Sequence, residues 1–451
     1  MFRVLCVGVA LVLLGRCVAA EEAAAVKPLA IRYSAVLSET AANGGAAQPL
    51  RDFEIRCLVL PQTSGFPVVL YLMDQTSDEQ PWHAQFGRIE FDAEGLPSPG
   101  LPVQRHTHGG QNHWIKLWFG VFPTFAKLAP DAEWTEGEAR YRLVGELVAN
   151  SEPCWQLEID APMGRRTTLL IQKSNGAIVA AKHRFFMGMG EQFDLNLKLE
   201  ELTVADAALI ATWTKATGPL LKLQQQIGSA ADSAAASSAS KPTPPSSAIL
   251  DEIDQATDGT PFATLAGVIR KEVSAGQQRE KAIADLATKF VGRPAPPIVV
   301  IPLDGGEPLV LSKPGKLTVL HFWEYQEKPL AEPYGQIGYL DFLAQKRKDQ
   351  VQVVGIISHT QVQDSKTAKV ALQSARKLRE FMNIGYPLGH DTQGALAALG
   401  DPRTFDVGLP LWVVIGVDGT ILHYHVGYYE VDSNRGLEEL DGVVEKALKG
   451  K

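Results

Sequence analysis

A run of small and polar residues near the middle of the chain, GSAADSAAASSASKPTPPSSA starting at Gly228, rules out one continuous core. Such residues bury too little apolar surface to offset the entropy of ordering them, so the sequence predicts a linker over residues 227–247. The full length of 451 residues also exceeds what one ordinary core supports. Each half must therefore build its own core, and the hydrophobic period differs between them.

The half before the linker reads as β-structure over residues 31–226, ending in a helix. IRYSAVL, FEIRCLVL, FPVVLYLM and GRIEFDAE are short runs rich in β-branched and aromatic residues, punctuated by Gly, Pro, Ser and Asp. YRLVGELV, CWQLEID, TTLLIQK, AIVAAKHRFFM and FDLNLKL continue the series. Asn175-Gly176 marks a hairpin turn, because both residues tolerate positive φ. IKLWFGVFPTFAKL (115–128) is expected to be a helix covering one sheet face, and VADAALIATWTKATGPLLKLQQQ (204–226) a terminal helix.

Two groups in this half bear on chemistry. HTHGGQNHW places His106, His108 and His113 at a spacing that can bind zinc or copper. Gly109-Gly110 and the lack of an acidic neighbour favour an ordinary surface loop, so these histidines are weak candidates and no cofactor is expected. The chain has four cysteines, at 6, 17, 57 and 154. The first two fall in a signal-like N-terminus over residues 1–20: Arg3, an apolar stretch Val4–Leu14 too short to cross a bilayer, and Val18-Ala19-Ala20 before Glu21. Arg16 before Cys17 departs from the small residue a lipidated cysteine requires. Export would leave Cys57 and Cys154 in an oxidising compartment, where one disulfide between them is expected, worth about 4–5 kcal/mol by loop closure. The location implied is the periplasm or the extracellular space, with no membrane span after cleavage. A net charge of −8 argues against nucleic acid as a partner.

Beyond the linker, residues 248–291 carry apolar positions at helical spacing. From Gly292 to Lys451 strands and helices alternate. GRPAPPIVVIPLDGGEPLVLS reads as a hairpin, LTVLHFW as a strand buried on both faces, and PYGQIGYLDFLAQKRK as a helix. VQVVGIIS is a second buried strand and ALQSARKLREFMNI an amphipathic helix. LPLWVVIGVDGTILHYHVG is a hairpin turning at Asp418-Gly419, and LEELDGVVEKALKG is the closing helix. The expected class is α/β, a mixed sheet with helices on both faces, joined to the β-rich half.

GRPAPP, LTVLHFW, VQVVGIIS and VGLPLWVVIGVDGTILHYHVG together resemble the thioredoxin-like fold. The likeness is to the redoxin branch of TlpA-like disulfide reductases and their peroxiredoxin (AhpC/TSA) relatives, over about residues 290–448. The resemblance implies a cis-proline facing the site, here at Leu409-Pro410, and reactive cysteines in Phe-Trp-x-x-x-Cys-x-x-Cys. Phe322 and Trp323 are retained, but the cysteine positions fall on Glu327 and Leu330, with Pro329 kept between them. No cysteine occurs anywhere from Gly292 to Lys451, so no shift of register restores one. Disulfide exchange depends on a nucleophilic thiolate, which neither carboxylate nor leucine replaces.

Glu327 then reads as a helix-start residue favoured by the helix dipole. His321, His359 and His390 have no partner that the sequence alone places in reach, and His423 and His425 alternate on one face of a hairpin. The leading expectation is a non-catalytic binding protein of the cell envelope. Its groove at Leu409, Pro410 and Trp323 would hold a peptide or partner loop by β-type pairing. The alternatives are a thiol–disulfide oxidoreductase or redoxin-type antioxidant protein, as the family implies, using Cys57 and Cys154, and a lipophilic-ligand site in the aromatic-rich β half.

Overall fold

The structure is a computed structural model. It describes residues 27–40, 47–62, 65–75, 80–98, 100–236, 245–311, 315–324, 336–359, 362, 364, 366–391, 393–431 and 436–449. The signal-like residues 1–20 lie outside this set. The chain divides into two compact units, Met1–Gln226 with Ser246–Val268, and Ile227–Pro245 with Ile269–Lys451.

The first unit holds β1 (Leu29–Glu39), β2 (Gln48–Leu60), β3 (Val68–Asp74), β4 (Phe86–Phe91) and β5 (Pro97–Ser98). A hairpin of β6 (Val103–His108) and β7 (Gln111–Lys116) comes next. Then come β8 (Glu133–Glu136), β9 (Ala139–Ala149), β10 (Glu152–Ala161), β11 (Arg165–Gln172), β12 (Ile178–Met187) and β13 (Glu191–Val204). Eleven strands form one antiparallel sheet in the order β5-β4-β3-β2-β1-β13-β12-β11-β10-β9-β8, and β6–β7 stands apart as a two-stranded pair. The first and last strands of the unit are central neighbours, so two meanders run outward from a shared seam.

Strict alternation sends Leu29, Ile31, Tyr33, Ala35 and Leu37 of β1 into the core, while Arg32 and Ser34 face outward. Each fully buried large apolar side chain contributes about 1.5–3 kcal/mol. The same sheet face is covered by Ile115, Leu117, Phe119, Val121 and Phe122. This segment is not the helix expected over 115–128. It leaves β7 as extended chain, with only a short 3₁₀ turn at Phe125–Lys127. Its buried residues recur at every second position, and Gly120 takes φ 80°, a left-handed conformation that breaks a helix. The Tyr33 hydroxyl donates to the Ile178 carbonyl at 2.8 Å and accepts from the Gly120 amide at 3.1 Å, tying the covering segment to the sheet.

Helix α1 (Ala207–Ala236) runs ten residues past the expected helix end at 226, into the stretch read as linker, because its alanines are strong helix formers. Helix α2 (Ser247–Thr257) is capped by the Ser246 hydroxyl, which accepts from the Ile249 amide. Trp213 of α1 packs edge-on against Phe262, 5.0 Å between ring centres. Helix α3 (Ala263–Phe290) starts in the first unit and continues in the second, so the helical segment 248–291 is shared between the two units.

The second unit contains β14 (Val299–Pro302), β15 (Leu309–Val310), β16 (Leu317–Trp323), helix α4 (Ile337–Lys346), β17 (Val351–Ile357) and helix α5 (Ala368–Phe381). It continues with β18 (Leu388–Asp391), a one-turn helix α6 (Ala395–Ala398), β19 (Leu411–Ile415), β20 (Ile421–Val426) and helix α7 (Glu438–Lys449). The sheet order is β15-β14-β18-β17-β16-β19-β20. β16, β17 and β18 are parallel, and β19 runs antiparallel to β16. All seven residues of β16 are buried. Val319 and Trp323 pack toward Leu340 of α4 and Leu440 of α7. Leu320 and Phe322 pack on the other side with Leu286 of α3 and Leu396 of α6. This is the expected mixed sheet with helices packed on both faces. β18 and α6 have no counterpart among the elements expected from sequence, because at four residues each they are too short for a period to show.

Candidate functional site

In the second unit, β16 ends at Trp323 and its antiparallel neighbour β19 begins at Leu411, opposite Phe322. Trp323 closes β16 and is buried, and its carbonyl accepts from the Ser358 amide just past β17 at 2.9 Å. Leu409-Pro410 is a cis peptide bond leading into β19. The Pro410 carbonyl accepts from the Gly427 amide at 2.8 Å, which fastens this corner to the end of β20. Among the described residues, the Leu409 backbone makes no hydrogen bond to other backbone groups. Glu327, Pro329 and Leu330 lie outside the described residues.

Arg403, which sequence reasoning missed, is the hub of this end. Its guanidinium donates to Glu324 at 2.8 Å, to the Ser358 carbonyl at 2.8 Å and to Asp401 at 2.6 Å. Burial works against the charge on Asp401, yet the hydrogen bonds and charge of Arg403 hold its carboxyl below the usual carboxylate range. A four-residue 3₁₀ turn, Pro402–Phe405, carries this residue, and Asp401 caps it by accepting from the Arg403 amide. The only hint in the sequence was Asp-Pro at 401–402, a turn starter.

Beneath this corner the histidines serve packing. His321 stacks on Trp412 with 4.0 Å between ring centres, and Trp412 donates its indole N–H to the Gly427 carbonyl at 2.9 Å. Tyr429 stacks on His425 at 4.1 Å, and its hydroxyl lies 2.7 Å from His423 Nε2. Burial lowers the pKa of His423, against the opposing charge of Glu439, so the ring is neutral near pH 7. These rings are half-buried behind Tyr429, not on the exposed hairpin face expected for them. His390 sits on β18, its pKa likewise lowered by burial, and His359 lies just past the β17 end.

In the first unit, the HTHGGQNHW trace is a β-hairpin and not a loop. Its strands β6 and β7 place His106 directly opposite His113. His106 stacks over His108, and both rings lie against Phe193. Among the described residues no group of three or more His, Cys, Asp or Glu is placed to hold a metal ion.

Cys57 and Cys154 do not form the expected bridge: both are free, buried thiols. Cys57 lies on β2 and Cys154 on β10, with β1, β13, β12 and β11 between them in the sheet, so neither strand neighbours the other. Burial raises both thiol pKa values, which leaves little nucleophilic thiolate at neutral pH.

This unit also carries a cleft of about 760 Å³ that no motif foretold. Trp114, Trp118, Phe122, Tyr141 and Phe185 are among the residues that line it. Trp118 and Phe122 stack at 5.9 Å, so one wall is a rigid aromatic surface. Leu96, Trp114 and Phe186 line the cleft and remain substantially exposed, which leaves apolar surface at an open mouth. The signal that pointed here was the Trp/Phe density of residues 114–125.

No protein-family model matches the chain, and no curated protein matches it. Among solved structures, the chain is similar to a Chlorobium tepidum protein provisionally described as the thiol:disulfide interchange protein DsbE. The identity is 25%, over 35% of this chain and 97% of that one, with a TM-score of 0.26. It is also similar to a thiol:disulfide interchange protein from Bacteroides sp., at 19% identity, over 35% and 88%, with a TM-score of 0.26. A secreted Mycobacterium tuberculosis disulfide oxidoreductase homologous to E. coli DsbE shares 21% identity over 33% and 94%, with a TM-score of 0.24. No helix among the described residues is long and apolar enough to cross a membrane.

Proposed function

We propose that the chain is a non-catalytic binding protein of the cell envelope, in which the thioredoxin-like unit holds an extended peptide or partner loop at Leu409-Pro410. The observation that carries this reading is the Leu409 backbone, which among the described residues has no backbone hydrogen-bond partner, at the strand ends of a unit that contains no cysteine. An amide and carbonyl beside a sheet corner can pair with an added strand by main-chain hydrogen bonds. Disulfide exchange has no thiolate to use there. The signal-like N-terminus supports export, and the buried, separated Cys57 and Cys154 argue against redox work elsewhere in the chain.

Leu409→Pro removes the amide donor. It is expected to weaken capture of peptides on an extended-peptide array by about 3–10-fold, as for one lost hydrogen bond of about 0.5–1.5 kcal/mol. Unchanged capture rejects the groove, and catalytic reduction of insulin disulfides by the wild-type chain rejects the non-catalytic reading.

A second reading concerns the first unit, where the aromatic cleft favours a lipophilic ligand. Its volume sits inside the range of about 300–1,000 Å³ typical of small-molecule sites. Binding of a neutral apolar dye to the full chain, displaced by long-chain alcohols, is the expected result; no dye binding rejects this reading.

A further inference from the structure

The wall of the first-unit cleft is an apolar sheet face with one polar interruption. In register across β9, β10, β11 and β12 lie Tyr141, Ile159, Thr167 and His183, all of which line the cleft. Thr167 Oγ1 and His183 Nδ1 are 2.6 Å apart, and both residues line the cleft. Arg165 stands two residues before Thr167 on β11, hence on the same sheet face, and lines the cleft as well. Among the described residues no carboxylate pairs with the Arg165 guanidinium.

We propose that Arg165, Thr167 and His183 form the headgroup subsite of the cleft and select a single-chain amphiphile carrying an anionic head. The proposal rests on the lipophilic-ligand reading and adds the charge of the head. A guanidinium matches a carboxylate, sulfate or phosphate by two parallel N–H···O bonds, and a hydroxyl beside it supplies a further polar contact. The aromatic wall of Trp118 and Phe122 offers the apolar surface for the chain.

Other charges at the cleft fit this assignment. Lys116 lines it with no ion pair among the described residues, so a second cation faces the ligand. The Glu136 carboxylate is occupied by Lys127 and by the Trp134 indole N–H, each at 3.0 Å. Glu138 is exposed at the turn between β8 and β9. Burial first, and then the Arg165 charge, lower the His183 pKa to about 4, so the ring is neutral at pH 7 and the subsite's full positive charge is on Arg165.

The test is a titration of the full-length chain at pH 7.5 with dodecanoate, 1-dodecanol and dodecyltrimethylammonium, each below its micelle concentration. Intrinsic tryptophan fluorescence reports binding, since Trp114 and Trp118 line the cleft. Dodecanoate is expected to bind about tenfold tighter than dodecanol, with the cation weakest. Arg165→Gln should bring dodecanoate to the level of dodecanol, and Arg165→Lys should restore part of the difference. Equal binding of dodecanoate and dodecanol to the wild type, or a preference that survives Arg165→Gln, overturns the headgroup assignment while the cleft reading stands. If none of the three binds, or if binding appears only with phosphatidylglycerol vesicles, both fall.

Discussion

The two sheets of this protein handle their faces in opposite ways. In the second unit β16 is buried at all seven positions, helices cover both sides, and side chains fill the space between layers. Such a face leaves no room for a ligand between the layers, and the polar side chains Arg403, Glu324 and Asp401 gather at the strand ends instead. In the first unit the strands from β9 to β12 are covered on the core face by irregular chain around residues 115–128, not by a regular helix. Extended chain with kinks at Gly120 and Pro123 cannot tile a sheet as completely as a helix layer does, and a cleft remains. A doubly covered sheet offers its rim for function, whereas an incompletely covered one offers its surface.

If that contrast is sound, emptying the second core is the most damaging change. Trp412 is fully buried between His321 and Tyr429, and Trp412→Ala should cost about 3–5 kcal/mol in the urea transition of that unit. A loss under about 1 kcal/mol would mean the helices do not seal that face.

Next comes the polar interruption in the first unit. The His183 pKa falls from 6.5 to about 4 on folding, so the unfolded chain binds the proton more readily between these values. Stability from this ring is full above pH 6.5 and is lost as the pH falls toward 4, on the order of 3 kcal/mol. His183→Gln should flatten that slope in unfolding midpoints measured across the window.

A smaller effect belongs to the strand ends. Arg403→Met leaves Asp401 and Glu324 without their shared cation; because the site is partly solvated, the cost should be about 1 kcal/mol. Asp401 has a lowered pKa in the fold, so the contribution is present above the ordinary carboxylate pKa and disappears as the pH drops through the folded value. The variant and wild type should therefore converge in acid.

Least of all should be Trp114→Ala. Half-exposed at the cleft mouth, it should change stability by less than about 0.5 kcal/mol while weakening apolar dye binding. A large stability loss would recast the residue as core.

Local pattern alone determined much of this protein. Short runs rich in β-branched, aromatic and other apolar residues placed most strands of both sheets. LTVLHFW announced a strand buried on both faces, and Asn175-Gly176 and Asp418-Gly419 located their turns, since each signal lies within a few neighbouring residues. The absence of cysteine after Gly292 was likewise a property of the sequence and needed no coordinates. Other features depended on which distant segments meet. Four strands separate Cys57 from Cys154, and the 115–128 segment is extended because a sheet face lies against it. Arg403 gathers Glu324 and Asp401, 79 and 2 residues away in the chain, and Thr167 meets His183 across a β-ladder. Pairings of this kind are set by register and packing among residues far apart in sequence, and those are decided only when the whole chain has closed on its core.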